Sequence, residues 1–144
     1  MYKKILVGVD WSEASLKAAR RAAEVASNAG AELTLITVVP PPTAFLGEMM
    51  TPEIVDTAPL VESSKERLEK LARELIREYG LTTVSTDVIV GEPSDVIVDY
   101  AVEGGYDLIV LGKRRLSSLE RFILGSITKK VVEKSPIDVL IITR

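Results

Sequence analysis

Gly112, Lys113 and Arg115 lie shortly before a Gly125-Ser126 pair, inside the segment LGKRRLSSLERFILGSITKK that runs from Leu111 to Lys130. A helix beginning at Gly125-Ser126 would present unpaired backbone N–H groups and the positive end of its dipole, and glycine would let an anion approach the backbone. The Ser126 hydroxyl adds a donor. Between Leu111 and Lys134 there are seven cations and two anions, a local charge of +5 in a chain whose net charge is -3. A local cationic site on an acidic protein suits a small anion better than a nucleic acid. The two standard phosphate signatures are absent: Arg114 follows Gly112-Lys113, so there is no P-loop, and Gly8 is not part of a G-x-G-x-x-G.

The chain has 144 residues with no Cys and no His, which excludes disulfides, thiol catalysis, histidine metal sites and a Ser-His-Asp triad. Chemistry must come from carboxylates, hydroxyls, Lys, Arg or backbone. No apolar run approaches the roughly 18 residues of a membrane span, and MYKK passes straight into ILVGV. The expectation is one domain, residues 1–144, without a signal peptide, cytoplasmic and with no membrane partner.

The elements that would position these groups alternate strictly. KKILVGVD is a short β-branched run suited to a strand buried on both faces, ending at Asp10. Ser12 can cap an Ala-rich helix from Glu13 to Ala29, with Leu16, Ala19, Ala23 and Ala26 on one face and Gly30 as its stop. AELTLITVV is the second strand, closed by Pro40 to Pro42. Leu60, Ser64, Leu68, Leu71 and Leu75 mark a helix that stops at Gly80. LTTVSTDVIV is the third strand, followed by a short helix capped by Ser94 with Ile97, Tyr100 and Ala101 inward. YDLIVLG is the fourth strand, Ser126 to Lys134 the last helix, and IDVLIITR the fifth strand. The order predicts an α/β domain with an open parallel sheet and helices on both faces. The long connection carrying Phe45, Leu46, Met49 and Met50 is read as a lid, a contact with a second subunit, or a satellite cluster.

In such sheets ligands bind beyond the carboxyl ends of the strands, where strand order reverses. Asp10 follows strand one and Gly112 follows strand four, so the two face one crevice if those strands are neighbours. Asp10 reads either as a ligand group or as a turn residue at the first helix. Trp11 reads either as a stacking platform for a base or as half-buried packing.

KKILVGVDWSEASLKAARRAAEVA, AELTLITVVPP, YDLIVLG and LGSITKKVVEKSPIDVLIITR resemble the corresponding blocks of the universal stress protein family. The resemblance implies a Rossmann-like, five-stranded sheet in the order 3-2-1-4-5. It also implies a homodimer through the last strand, Asp138 to Thr143. The family's ATP-binding pattern is G-x-x-G, nine residues, then G-[ST]; Gly112, Gly125 and Ser126 match it, while Arg115 replaces the middle glycine and Ser118 stands where a small residue, often glycine, is usual.

The site residues this resemblance implies are Val9 and Asp10, Val38 and Val39 through their backbone, Leu111, Gly112, Lys113 and Arg115, and Gly125, Ser126 and Ile127. The implied cofactor is ATP or another adenine nucleotide, with Asp10 either meeting phosphate through a bridging Mg²⁺ or accepting from ribose or base. Arg115 either reaches for phosphate or fills its place. Three functions follow: a nucleotide-binding stress-response module, a dimeric scaffold or chaperone-like binder with its crevice closed by Arg115, and a slow nucleotide hydrolase. Binding ranks above catalysis, because Asp10 alone offers a carboxylate near strand one.

Overall fold

The computed structural model describes residues 1–41, 56–113 and 125–143. The long connection and Arg114, Arg115 and Ser118 lie outside the described residues. Within them, β1 (Lys4–Gly8), α1 (Glu13–Ala29), β2 (Glu32–Val39), α2 (Ala58–Tyr79), β3 (Val84–Val90), α3 (Pro93–Glu103), β4 (Leu108–Gly112), α4 (Ser126–Lys134) and β5 (Asp138–Ile142) follow one another. The five strands form one sheet in the order β3-β2-β1-β4-β5. Every pairing is parallel, with Ile5 opposite both Leu33 and Leu108.

Alternation along the central strands divides the core into two layers. Ile5, Val7, Leu33 and Leu35 pack under α1 and α2, against Ala18, Ala22, Leu68 and Leu75. Leu6, Ile36, Ile109 and Leu111 pack on the other face, against Ile97 and Ala101 of α3 and Val131 of α4. The inner face of α1 is almost wholly alanine, so the helix backbone lies close to the sheet. Leu16, expected on that face, is only half-buried at its edge. Helices α1 and α2 both end on a left-handed glycine, Gly30 and Gly80, whose backbone N–H closes onto the preceding turn. No helix among the described residues is long and apolar enough to cross a membrane.

The predicted cap of α3 is corrected. Glu92, not Ser94, is the N-cap, with Pro93 beginning the helix and Ser94 fully buried inside it. The Glu92 carboxylate accepts from the Ser94 hydroxyl at 2.7 Å and the Asp95 N–H at 2.9 Å. Proline explains the shift, because its fixed φ and missing N–H suit the first helical position, which places the cap immediately before it, two residues earlier than expected. The Ser94 hydroxyl bond, reinforced by the backbone donors, holds the Glu92 carboxyl down at about 2. Glu92→Ala should therefore cost about 1 kcal/mol at neutral pH. The folded pKa lies below the ordinary value, so this contribution is complete above the ordinary carboxylate range and lost as pH falls through about 2. Urea melts of both proteins at pH 7 and pH 2 should show the gap closing in acid; a gap independent of pH would contradict the ionised cap.

Candidate functional site

Three strand ends build the site. The Val9 N–H donates to the Ile36 carbonyl at 2.8 Å, and the buried Thr37 hydroxyl donates to the Val9 carbonyl at 3.0 Å. These bonds join β1 to β2 just beyond the last ladder pair. The chain then turns through Asp10, Trp11 and Ser12. Asp10 Oδ1 accepts from the Ser12 N–H at 3.0 Å and the Ser12 hydroxyl at 2.5 Å, and Ser12 Oγ accepts from the Ser15 N–H at 3.1 Å. The Ser15 hydroxyl donates to the Ser12 carbonyl at 3.1 Å. Ser12 is thus the cap of α1, as expected, and Asp10 orients that cap. The turn reading of Asp10 is real, and the same carboxylate also lines the cleft described below.

Trp11 has φ 68°, the one positive φ at a non-glycine position among the described residues. A left-handed side-chain-bearing residue costs about 1 to 2 kcal/mol. Its ring packs against the α1/α2 core layer, and the Arg67 guanidinium of α2 lies 4.0 Å from the ring centroid. The indole Nε1 is buried and has no hydrogen-bond partner among the described residues. Packing therefore accounts for the ring, as one of the two readings of Trp11 held. The polar edge is unaccounted for.

At the end of β4, a Cβ on Gly112 would stand 2.4 Å from the Ala14 carbonyl carbon and 2.5 Å from the Ser15 nitrogen. Glycine here is required by the first turn of α1. The sequence pattern suggested an anion contact for this position, and the packing contact is an additional constraint that the pattern did not reveal. Gly125 is the N-cap of α4 with no side-chain cap, and its carbonyl accepts the first helical bond from the Lys129 N–H at 2.9 Å. The first turn holds no acidic residue. Its leading N–H groups have no acceptor within the helix.

These ends enclose a cleft of about 410 Å³, within the range usual for small-molecule sites. It lies where the sheet order reverses, between β1 and β4. Val9, Asp10, Val38, Val39, Leu111, Gly112, Gly125, Ser126 and Ile127 all line it. Lys113 does not. Its N–H is tied to the Ile142 carbonyl at 2.8 Å, which holds it over β4 and β5, one strand from the crevice. Arg115 lies outside the described residues. The Val39 carbonyl already accepts from the Gly91 N–H at 2.9 Å, so the end of β2 is rigidly held.

One wall escaped the sequence reading. Leu60, Ser63, Ser64 and Arg67 of α2 line the cleft at helical spacing. Leu60, read from its spacing as core, is 45% exposed. The signal was present in the interruption of a leucine stripe by serine, but only the packing of α2 on the sheet brings that stripe to the cleft. Among the described lining residues, Asp10 is the one carboxylate and Arg67 the one cation. No group of three or more acidic side chains able to hold a metal occurs among the described residues. The residues present suit an organic anion: an apolar slot of Ile36, Val38, Ile97 and Leu111 beside a donor-rich helix end.

The family model for the universal stress protein family matches residues 1–143. The chain belongs to that family. It is 32% identical over 145 residues to a universal stress protein of Methanocaldococcus jannaschii, covering 100% of this chain and 84% of that protein. Among solved structures it resembles a universal stress protein in complex with cAMP, with a TM-score of 0.70, 28% identity and coverage of 98% and 96%. The universal stress protein from Archaeoglobus fulgidus in complex with dAMP superposes with a TM-score of 0.67 and 28% identity over 98% of each chain. Both of those family members hold an adenine nucleotide. The expected family and the 3-2-1-4-5 sheet are thereby established for this chain.

Proposed function

We propose that this chain is a cytoplasmic adenine-nucleotide-binding module of the stress response, with ATP or another adenine nucleotide as its ligand and β5 as its homodimer contact. The observation that carries the reading is the meeting, in one cleft, of an acid-free helix N-terminus at Gly125-Ser126 with an apolar slot beside the Val38-Val39 backbone. Phosphate belongs at the first, where N–H groups without an intrahelical acceptor and the helix dipole favour negative charge. The base belongs in the second, read by main-chain groups. The complexes of relatives with cAMP and dAMP support the ligand class. Mg²⁺ would arrive with the nucleotide, held by its phosphate oxygens, water and Asp10. Asp10 Oδ1 is already engaged by Ser12, which favours binding over turnover.

Dimerisation is supported by β5, an edge strand whose Leu140 is 37% exposed, with Val132 of α4 exposed as well. An apolar edge with unpaired main-chain groups invites a second strand.

The only tryptophan in the sequence lines the cleft, so ligand binding has an internal reporter. Titration with ATP, AMP and cAMP, with and without Mg²⁺, should change Trp11 emission. At about 100 times the dissociation constant the ligand should stabilise the fold by about 2.7 kcal/mol. If millimolar nucleotide moves neither emission nor melting temperature, the nucleotide reading fails and the scaffold reading takes its place.

A further inference from the structure

The α2 wall and Trp11 have no part in the nucleotide reading above, although both line the same cleft. Four features coincide there. Trp11 is held in a left-handed backbone conformation. Its indole N–H is buried without an acceptor among the described residues. Arg67 reaches into the cleft and lies over the Trp11 ring. Ser63 and Ser64 line the cleft one turn before Arg67.

Every charged or N–H group in this set is a donor. Indole and guanidinium have no acceptor capacity. The residues one turn from Arg67 on α2 are Ser63, Ser64, Lys70 and Leu71, so the helix supplies it with no carboxylate. The ion pairs described, Arg21 with Glu24 and Lys134 with Asp95, lie elsewhere. A cation over an aromatic face at an exposed site is weakly held. A phosphate offers the guanidinium a stronger, bidentate contact. Strained backbone clusters at active sites and ligand clamps, and a buried donor without a partner calls for an explanation.

We infer that Trp11 and Arg67, with the serines of α2, form a second phosphate subsite, so that the cleft selects an adenine nucleotide bearing one phosphate at Gly125-Ser126 and another on its ribose. The inference rests on the nucleotide reading and specifies the ligand within it. Arg67 supplies the charge, and Trp11 keeps the guanidinium oriented until phosphate displaces it from the ring.

The test compares adenosine 3′,5′-bisphosphate with AMP by calorimetry at one ionic strength. Wild-type protein should bind the bisphosphate at least about tenfold more tightly, the effect of one charge-assisted contact of about 1.4 kcal/mol or more. Arg67→Gln should bring the ratio of the two affinities close to one, and Arg67→Lys should restore part of it. Circular dichroism establishes that each variant is folded. A wild-type ratio near one overturns the subsite, as does a ratio that survives in Arg67→Gln. If neither AMP nor ATP binds the wild-type protein, the nucleotide reading itself has failed, an outcome distinct from loss of the preference alone.

Discussion

Gly112→Ala lowers the stability of the fold by roughly 3 kcal/mol, near the upper end of ordinary overpacking penalties. The added methyl would meet main-chain atoms of Ala14 and Ser15, at distances of 2.4 to 2.6 Å, and not the movable end of a side chain. Relief requires α1 to shift away from β4. That helix carries seven buried residues of small side chain, including Ala18, Ala19, Ala22 and Ala23, and its close seat on the sheet depends on those small side chains. At this chain length the loss corresponds to a fall in melting temperature of roughly 10 °C. Thermal denaturation followed by circular dichroism measures it directly. If Gly112 were needed only for phosphate approach, the variant would melt like the wild type and lose ligand alone. An unchanged melting temperature would therefore refute the packing requirement.

Ser126→Asp should produce opposite effects on stability and binding. Ser126 is the exposed first residue of α4, whose first turn has no acid and whose later residues include Lys129, Lys130 and Lys134. An aspartate there complements the helix dipole and should add about 0.3 to 1 kcal/mol to stability. The same charge would stand where the proposed phosphate binds. Loss of the hydroxyl donor and repulsion between like charges should weaken ATP at least about tenfold, a change of 1.4 kcal/mol or more. Ser126→Ala removes the hydroxyl without adding charge and should weaken binding less. Parallel melts and Trp11 fluorescence titrations separate the two quantities. A variant that is more stable yet binds ATP as well as wild type would move the phosphate away from α4.

Most of the architecture was legible along the chain because its signals are local. Four β-branched runs and the YDLIVLG segment specified strands, while Gly30 and Gly80 specified helix ends through a left-handed conformation that glycine alone adopts cheaply. Ser12 as the cap of α1 was equally local, since the bond it accepts comes from Ser15 three residues away. The cap of α3 was misplaced because serine is the commoner capping residue, whereas Pro93 fixes the helix start and leaves the role to Glu92. Strand three begins at Val84 and not at Leu81, because the register with β2 starts at Leu33 opposite Val84. Pairing partners are distant in sequence, so boundaries of this kind cannot be read from propensity.

The candidate site divides along the same line. Spacing alone indicated Asp10, Gly112, Gly125 and Ser126, since strand ends and helix starts are where an open parallel sheet leaves polar groups free. The order of the strands made them neighbours, bringing Val9, Val38, Val39, Leu111 and Ile127 to one cleft and leaving Lys113 over β5.

The sequence by itself determined the alternation of strands and helices, the glycine and serine at the α4 terminus and the cationic character of that region, because each depends on residues within a turn or two of one another. The tertiary structure alone decided three things: that Gly112 meets the backbone of α1, that α2 lays Ser63, Ser64 and Arg67 along the cleft, and that Arg67 covers Trp11. Each of these is a contact across tens of residues, set by how closely an alanine-faced helix and its neighbour settle on the sheet, and no local periodicity encodes that distance.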